Sequence, residues 1–393
     1  MEKRNVNSNI WKLYVIRAVT SFMLIMPIIT IFFKENGLSM RDIFVLQAFF
    51  SVAVIFLEIP SGYFSDKVGR KKTLIVGYSL AILGYAIYSF SYGFWGFLWA
   101  EIILGFGCSF ISGTDSALLY DTLLETKQKS RYTELEGRRY SLAMISESLA
   151  SVMGGFMAVL SLRLPFYIDT AVLVLFFPVV FSLVEPKSHV VLEEKNAWET
   201  MSYVFKKIFV KGSEIKWVII YSSIVASSTL TMVWMIQPYL EEVAIPLELF
   251  GVIWAMLMLI SAFFSWYAGK IEKHFGTKKV LSSLVFLVAI GYFAIYLSWV
   301  AWGVVFLLFF YVVRGLHNPV VSAYVNGKVS SDIRATILSA KNLFGRVIFS
   351  VVGPFMGWIA DVISLGAAML YAGIIFTITG VVALAFLRKN NSF

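Results

Sequence analysis

Twelve apolar runs, each about long enough to cross a lipid bilayer, succeed one another along the chain, separated mostly by short loops. A helix needs roughly 20 apolar residues to span the hydrocarbon core. On that criterion spans are expected near 10–33, 43–65, 73–93, 96–122, 139–161 and 165–184. A second set is expected near 215–238, 248–269, 279–297, 300–325, 335–360 and 366–387. Hydrophobic residues make up 59% of the chain and charged ones 15%, against roughly 45–50% and about 25% in ordinary globular proteins. Such a chain has too little polar surface to cover a water-facing exterior. It reads as an all-α integral membrane protein.

Charge sorts the loops. Most of the 33 lysines and arginines fall at the N-terminus and after even-numbered spans, whereas the opposite loops carry Lys34, Arg41 and Arg163. By the positive-inside rule this predicts a multi-pass protein of the cytoplasmic (inner) membrane with both termini in the cytoplasm. The formal charge of +9 is therefore a topology signal rather than a nucleic-acid surface. Cys108 is the single cysteine, so neither a disulfide framework nor a thiolate metal cluster is expected. The first run is too long for the apolar core of a cleaved signal peptide.

An internal repeat divides the chain. GYFSDKVGRKK begins at Gly62 and GKIEKHFGTKK at Gly269, pairing Gly62 with Gly269, Gly69 with Gly276, and Lys71–Lys72 with Lys278–Lys279. Duplicated halves are a mark of secondary transporters, whose substrate site lies near the midplane between them. The expected organisation is a six-helix bundle over 1–184, a cytoplasmic linker over 185–214 with an amphipathic patch (FKKIF), and a second bundle over 215–393.

Gly62, Asp66, Gly69, Arg70 and Lys71 match the loop G-x-x-x-D-x-x-G-R-K position by position, and on this motif the chain resembles the major facilitator superfamily. The EIPSG stretch before it and GTDSALLYD in the fourth span look like a bacterial branch. The resemblance implies two pseudo-symmetric six-helix bundles around a central cavity and a protein that works as a monomer. It also implies that the loop aspartate engages the start of the eleventh helix and that the basic residues hold the halves together in one state. Two departures stand out. Glu101 and Gly105 occupy the family's R-x-x-x-G spacing with inverted charge, and the antiporter motif of the fifth span is reduced to ASVMGG at Ala150–Gly155. A closer version, GPFMG, sits at Gly353–Gly357 in the eleventh span.

Ionisable residues inside spans are costly and mark functional positions. In the first half these are Arg17, Glu58, Glu101, Asp115 and Glu147. Counting the rise per residue puts Arg17, Glu58, Asp115 and Glu147 at similar depth. One cation against three acids is unbalanced, and at least one acid is expected to hold a proton, since burial and like charge both disfavour ionisation. Glu147, Asp115 and Glu58 are the proton-coupling candidates. Asp121 and Asp169 are expected at the interfaces. In the second half Arg314, His317 and Asn318 share a face of the tenth span, and Lys341, Asn342 and Arg346 lie in the eleventh. Arg17, Glu101, Arg314, His317, Asn318, Asn342 and Arg346 are the substrate-cavity candidates, while Trp234, Gln237 and Tyr239 could line a vestibule. Gly105, Gly107 and Gly113 with Ser109, Ser112 and Ser116 make a small-residue face suited to close helix packing.

No phosphate-binding G-x-x-x-x-G-K-[ST], H-E-x-x-H or G-x-S-x-G occurs, which argues against ATP-driven transport and against an enzyme. The expected function is secondary active transport of a small organic solute by alternating access, as proton-coupled efflux (antiport) of drugs or metabolites. The alternatives are proton-coupled uptake (symport) of an anionic or zwitterionic nutrient, lipid translocation, and a non-transporting membrane sensor. No cofactor is expected beyond a proton gradient. The expected partners are the small-molecule substrate and the lipid bilayer.

Overall fold

The computed structural model describes residues 5–187, 215–328 and 331–389, and every regular element among them is helical. In chain order the helices are α1 (Asn9–Thr20), α2 (Ile29–Glu35), α3 (Met40–Val68), α4 (Arg70–Phe90), α5 (Gly93–Ile111), α6 (Thr114–Glu125), α7 (Tyr132–Leu160) and α8 (Leu164–Phe181). They continue with α9 (Ile215–Glu242), α10 (Glu248–Phe275), α11 (Thr277–Leu297), α12 (Leu307–Lys328), α13 (Ser331–Val362) and α14 (Leu365–Lys389). Eleven of the described helical segments are long and apolar enough to cross a membrane. The FKKIF patch and most of the expected linker lie outside the described residues.

Two of the expected spans are not single helices. The fourth is divided into α5 and α6 at Gly113, whose φ of +76° lies in the left-handed region that favours glycine. The first, expected as one helix over 10–33, is instead α1 and α2 with an interruption at 21–28 between them, and neither piece alone is long enough to span. Pro27 removes a donor there, but proline is not a sufficient cause. Pro60, Pro178, Pro238, Pro319 and Pro354 all lie inside continuous helices. What distinguishes 21–28 is its tertiary surroundings. The N–H groups of Leu24 and Ile25 donate to the two carboxylate oxygens of Asp169 on α8, at 3.2 and 3.3 Å. On the other side α7 presents Gly154, where an added Cβ would stand 1.9 Å from the Leu24 carbonyl oxygen.

The described residues fall into two compact units. The first takes in the residues up to Phe32, those from Phe49 to the end of α8 and just beyond, and Leu247–Ala255; the second takes in Phe33–Ala48, the whole of α9 and its exit to Pro246, and everything from Met256. In the first, a cluster of Leu13, Ile16, Leu74, Tyr78, Leu118, Leu119, Leu135 and Val180 joins α1, α4, α6, α7 and α8. The early turns of α10 also belong to this unit, and a Cβ at Gly251 would lie 2.0 Å from the Ser151 carbonyl oxygen of α7.

In the second unit α9 is enclosed along most of its length, as expected of a helix with apolar residues on all sides. Its hydroxyls bond inward or are used as anchors: Tyr221 donates to the Leu281 carbonyl, and Tyr292 of α11 donates to the Ser228 carbonyl at 2.7 Å. Trp217 stacks on Phe386 of α14 with ring centroids 4.4 Å apart. The first turn of α3 belongs here too. Asp361 of α13 accepts the N–H groups of Met40 and Arg41, both at 2.8 Å. One turn earlier Gly357 lets the backbone in, since a Cβ there would lie 2.6 Å from the Met40 carbonyl oxygen. The GPFMG stretch therefore works as a close-packing surface against α3.

Forcing a methylene into a filled core typically costs 1–3 kcal/mol. Gly154→Ala should therefore lower the thermal midpoint of the purified protein, whereas Gly137→Ala on the same helix, with nothing within 4 Å of the added Cβ, should not. Equal midpoints for the two variants in fluorescence-detected gel filtration would contradict the packing described.

Candidate functional site

The repeated loop is built alike in both copies. Gly69 and Gly276 have φ of +107° and +82° and immediately precede α4 and α11, so a glycine is needed where the chain turns into the next helix. Arg70 then gathers the loop: its guanidinium meets Asp66 at 2.6 Å, Asp121 at 3.3 Å and the Ser65 hydroxyl at 2.8 Å. Glu185, just beyond α8, accepts the N–H groups of Arg70 and Lys71, both at 2.7 Å. It sits so close that a Cβ at Gly69 would lie 3.0 Å from its carboxyl carbon. Gly62 has open space where a Cβ would stand, and nothing in the structure explains its place in the motif. The side chains at 331–336, where the resemblance places the partner of Asp66, lie outside the described residues.

Behind this loop α4 runs as a tyrosine spine through the first unit. Tyr78 and Tyr85 are seven residues apart, hence two turns apart on one face, and each stands in a different charged layer. Tyr78 lies within electrostatic reach of Arg17, Asp115 and Arg139. Arg139, on α7 and 2% exposed, pairs with Asp115 and, at 2.9 Å, with Glu136. Ser116 closes the set: its hydroxyl donates to Glu136 at 2.7 Å, while its N–H donates to Asp115 at 2.7 Å. This layer is electrically balanced.

The layer at Tyr85 is acidic. Asp169 of α8, Glu101 of α5 and Glu147 of α7 all lie within electrostatic reach of that tyrosine. Glu101 and Asp169 are 4% and 3% exposed, and Glu147 is half-buried. Next to them Tyr88 packs with Phe97 and Phe166. Asp169, expected at an interface, is instead buried beside the interruption of the first span. Glu147 stands close in depth to Arg17, since the Ser146 hydroxyl beside it donates to the Ala18 carbonyl at 2.6 Å. Glu58 is half-buried near the end of α3, and its carbonyl accepts the Ser61 hydroxyl at 3.1 Å.

The second unit carries the basic counterpart. His317 shares a 2.8 Å hydrogen bond with the Ser222 hydroxyl, Ser223 donates to the Lys341 carbonyl at 3.1 Å, and the Lys341 ammonium donates to the Asn318 amide oxygen at 2.8 Å. The Arg314 guanidinium lies over the Tyr311 ring at 5.6 Å. Arg346 is half-buried, Asn342 exposed and Lys341 buried, so the helix turns Lys341 rather than Asn342 into the unit. Trp234, Gln237 and Tyr239 are buried, Tyr239 donating to the Val300 carbonyl at 3.1 Å.

Sequence reasoning missed Arg139 and Asp169 as interior charges. Arg139 falls on the expected start of the fifth span and was absorbed into the basic loop before it. Its signal is the spacing to Glu136, three residues back on the same face.

A helical membrane fold, a loop repeated in two sequence halves and charged layers within spans together define a multi-pass transporter rather than an enzyme. The chain belongs to the Major Facilitator Superfamily, whose model matches residues 13–354. It is 22% identical to YxaM, an uncharacterized MFS-type transporter of Bacillus subtilis (strain 168), over 90% of each chain. It is 26% identical to the quinolone resistance protein NorA of Staphylococcus aureus (strain N315) over 156 residues, 39% of each chain. In structure it is similar to the nucleoside transporter NupG (D323A mutant), with a TM-score of 0.80 at 14% identity, covering 96% of this chain and 99% of that one. It is also similar to a D-xylose–proton symporter, with a TM-score of 0.74 at 15% identity, covering 96% and 95%. At such identities the structural likeness speaks for the fold alone.

Removing one partner of a buried ion pair typically costs 3–5 kcal/mol, because the other charge stays buried. Arg139→Gln, which takes the shared cation from Asp115 and Glu136, should sharply reduce the yield of folded protein. The triple change Arg139→Gln, Asp115→Asn, Glu136→Gln should recover part of it. A triple variant no better folded than the single one would count against a stabilising role for the layer.

Proposed function

We propose that this transporter moves a small organic solute out of the cell in exchange for protons, loading and unloading them at the acidic layer around Tyr85. The observation that carries the reading is the grouping of Glu101, Glu147 and Asp169 about one tyrosine within the spans. Carboxylates buried within spans lose hydration, and binding a proton relieves that cost. A layer that gains from a proton supplies the two states that coupling to a gradient requires. Export is favoured over import by the partial likeness to NorA, a quinolone resistance protein. On this reading the termini and the basic loops face the cytoplasm.

One observation favours the alternative of proton-linked uptake. Lys341, His317 and Arg314 form a basic polar set in the second unit, and a carboxylate or phosphate on a nutrient would pair with it. Lys341→Gln should then abolish transport of an anionic solute and leave that of a cationic one intact.

The deciding assay is flux in liposomes carrying a lumenal pH dye, with a panel of cationic, neutral and anionic solutes. Opposite movements of solute and proton, both reduced to the level of empty liposomes by Glu147→Gln, are expected. Parallel movement would replace export with uptake. Solute movement with no proton movement would remove coupling altogether.

A further inference from the structure

At the interruption of the first span, 21–28, two consecutive backbone N–H groups are held by an acidic side chain. Asp169 accepts the N–H groups of Leu24 and Ile25, one on each oxygen. Among the described residues no lysine, arginine or histidine forms an ion pair with it, and it is nearly inaccessible. Of the titratable groups near it, Tyr85 of α4 lies within electrostatic reach, and that tyrosine is in turn within reach of Glu101 and Cys108 of α5 and Glu147 of α7. Arg163, just before α8, is engaged elsewhere: it donates to the Ser89 and Ser91 carbonyls at 3.1 and 3.0 Å and lies over the Tyr92 ring at 3.8 Å. The interrupted stretch, SFMLIMPI, has no ionisable side chain.

We infer that Asp169 is a proton-binding site that couples its own protonation to the backbone of the first span. An ionised carboxylate offers two acceptor oxygens, one for each N–H. A protonated one keeps a single acceptor oxygen and turns the other into a donor. One of the two N–H groups must then find another partner, and within a membrane a helical carbonyl is the one the chain itself can offer. The proton is taken up by one carboxylate oxygen and no other covalent bond changes. Gly154, against the Leu24 carbonyl, packs closely on the side of the stretch that faces α7. The inference rests on the proton-coupled reading above but is tested without any solute, so the two can fail separately.

The test uses the full-length protein reconstituted in lipid. Infrared difference spectra across a pH titration should show a protonated-carboxyl C=O band that is lost in Asp169→Asn, retained in Glu147→Gln and shifted in frequency in Asp169→Glu. Hydrogen–deuterium exchange, corrected for the intrinsic pH effect, should show Leu24 and Ile25 protected at alkaline pH and faster at acid pH. Asp169→Asn, which has the donor and acceptor pattern of the protonated acid, should exchange fast at both. A titrating band unchanged in Asp169→Asn overturns the proposal. If that variant does not fold, the wild-type exchange decides, and pH-independent protection of Leu24 and Ile25 overturns it.

Discussion

Within a bilayer every backbone N–H must find a partner inside the protein, because no water is there to supply one. Helices meet that demand along their length and fail it wherever they begin or break. Three carboxylates answer the failure here, and each takes a consecutive pair of N–H groups. Glu185 holds Arg70 and Lys71 at the start of α4, Asp361 holds Met40 and Arg41 at the start of α3, and Asp169 holds Leu24 and Ile25 in the broken first span. At the first two sites the positive end of the helix dipole adds to the attraction. Close approach makes such caps possible, and glycine makes the approach possible: Gly69 lies beside Glu185, Gly357 one turn from Asp361, and Gly154 against the stretch that Asp169 holds.

The same accounting explains how a chain with few charges sorts them. Around Tyr78, Arg139 bonds two acids at once and Ser116 ties those acids together. Asp115 of α6 and Glu136 of α7 share one buried guanidinium, so this layer serves to hold α6 against α7. Around Tyr85 stand three acids, Glu101, Glu147 and Asp169. One helix, α4, thus passes both charged layers two turns apart.

Much of this was legible in the sequence. Apolar length, loop charge and the paired GYFSDKVGRKK and GKIEKHFGTKK stretches are enough to read a helical, duplicated transporter, and the positive φ of both Gly69 and Gly276 shows that the repeat reaches the backbone. The break in the first span was not legible, because its cause lies in α7 and α8, more than a hundred residues away. Nor was the pairing of charges. Depth along a span says how far in a residue sits but not which way it points or which partner it meets. Arg139 was hidden by its company, since a lone arginine after ELEGR looks like one more basic loop residue.

Those two failures have one root. On the proton-coupled reading, some interior charges stay fixed while another gains and loses a proton, and composition treats both alike. What separates them is the partner. An acid bonded to a guanidinium loses that bond's strength on protonation and leaves a buried cation exposed to the full cost of its desolvation. An acid bonded only to backbone N–H groups loses one acceptor and the cost of burying its own charge disappears. The second exchange is the smaller, and it changes where the backbone bonds. Asp115 is of the first kind and Asp169 of the second, and the second is the kind that can turn the arrival of a proton into movement of a helix.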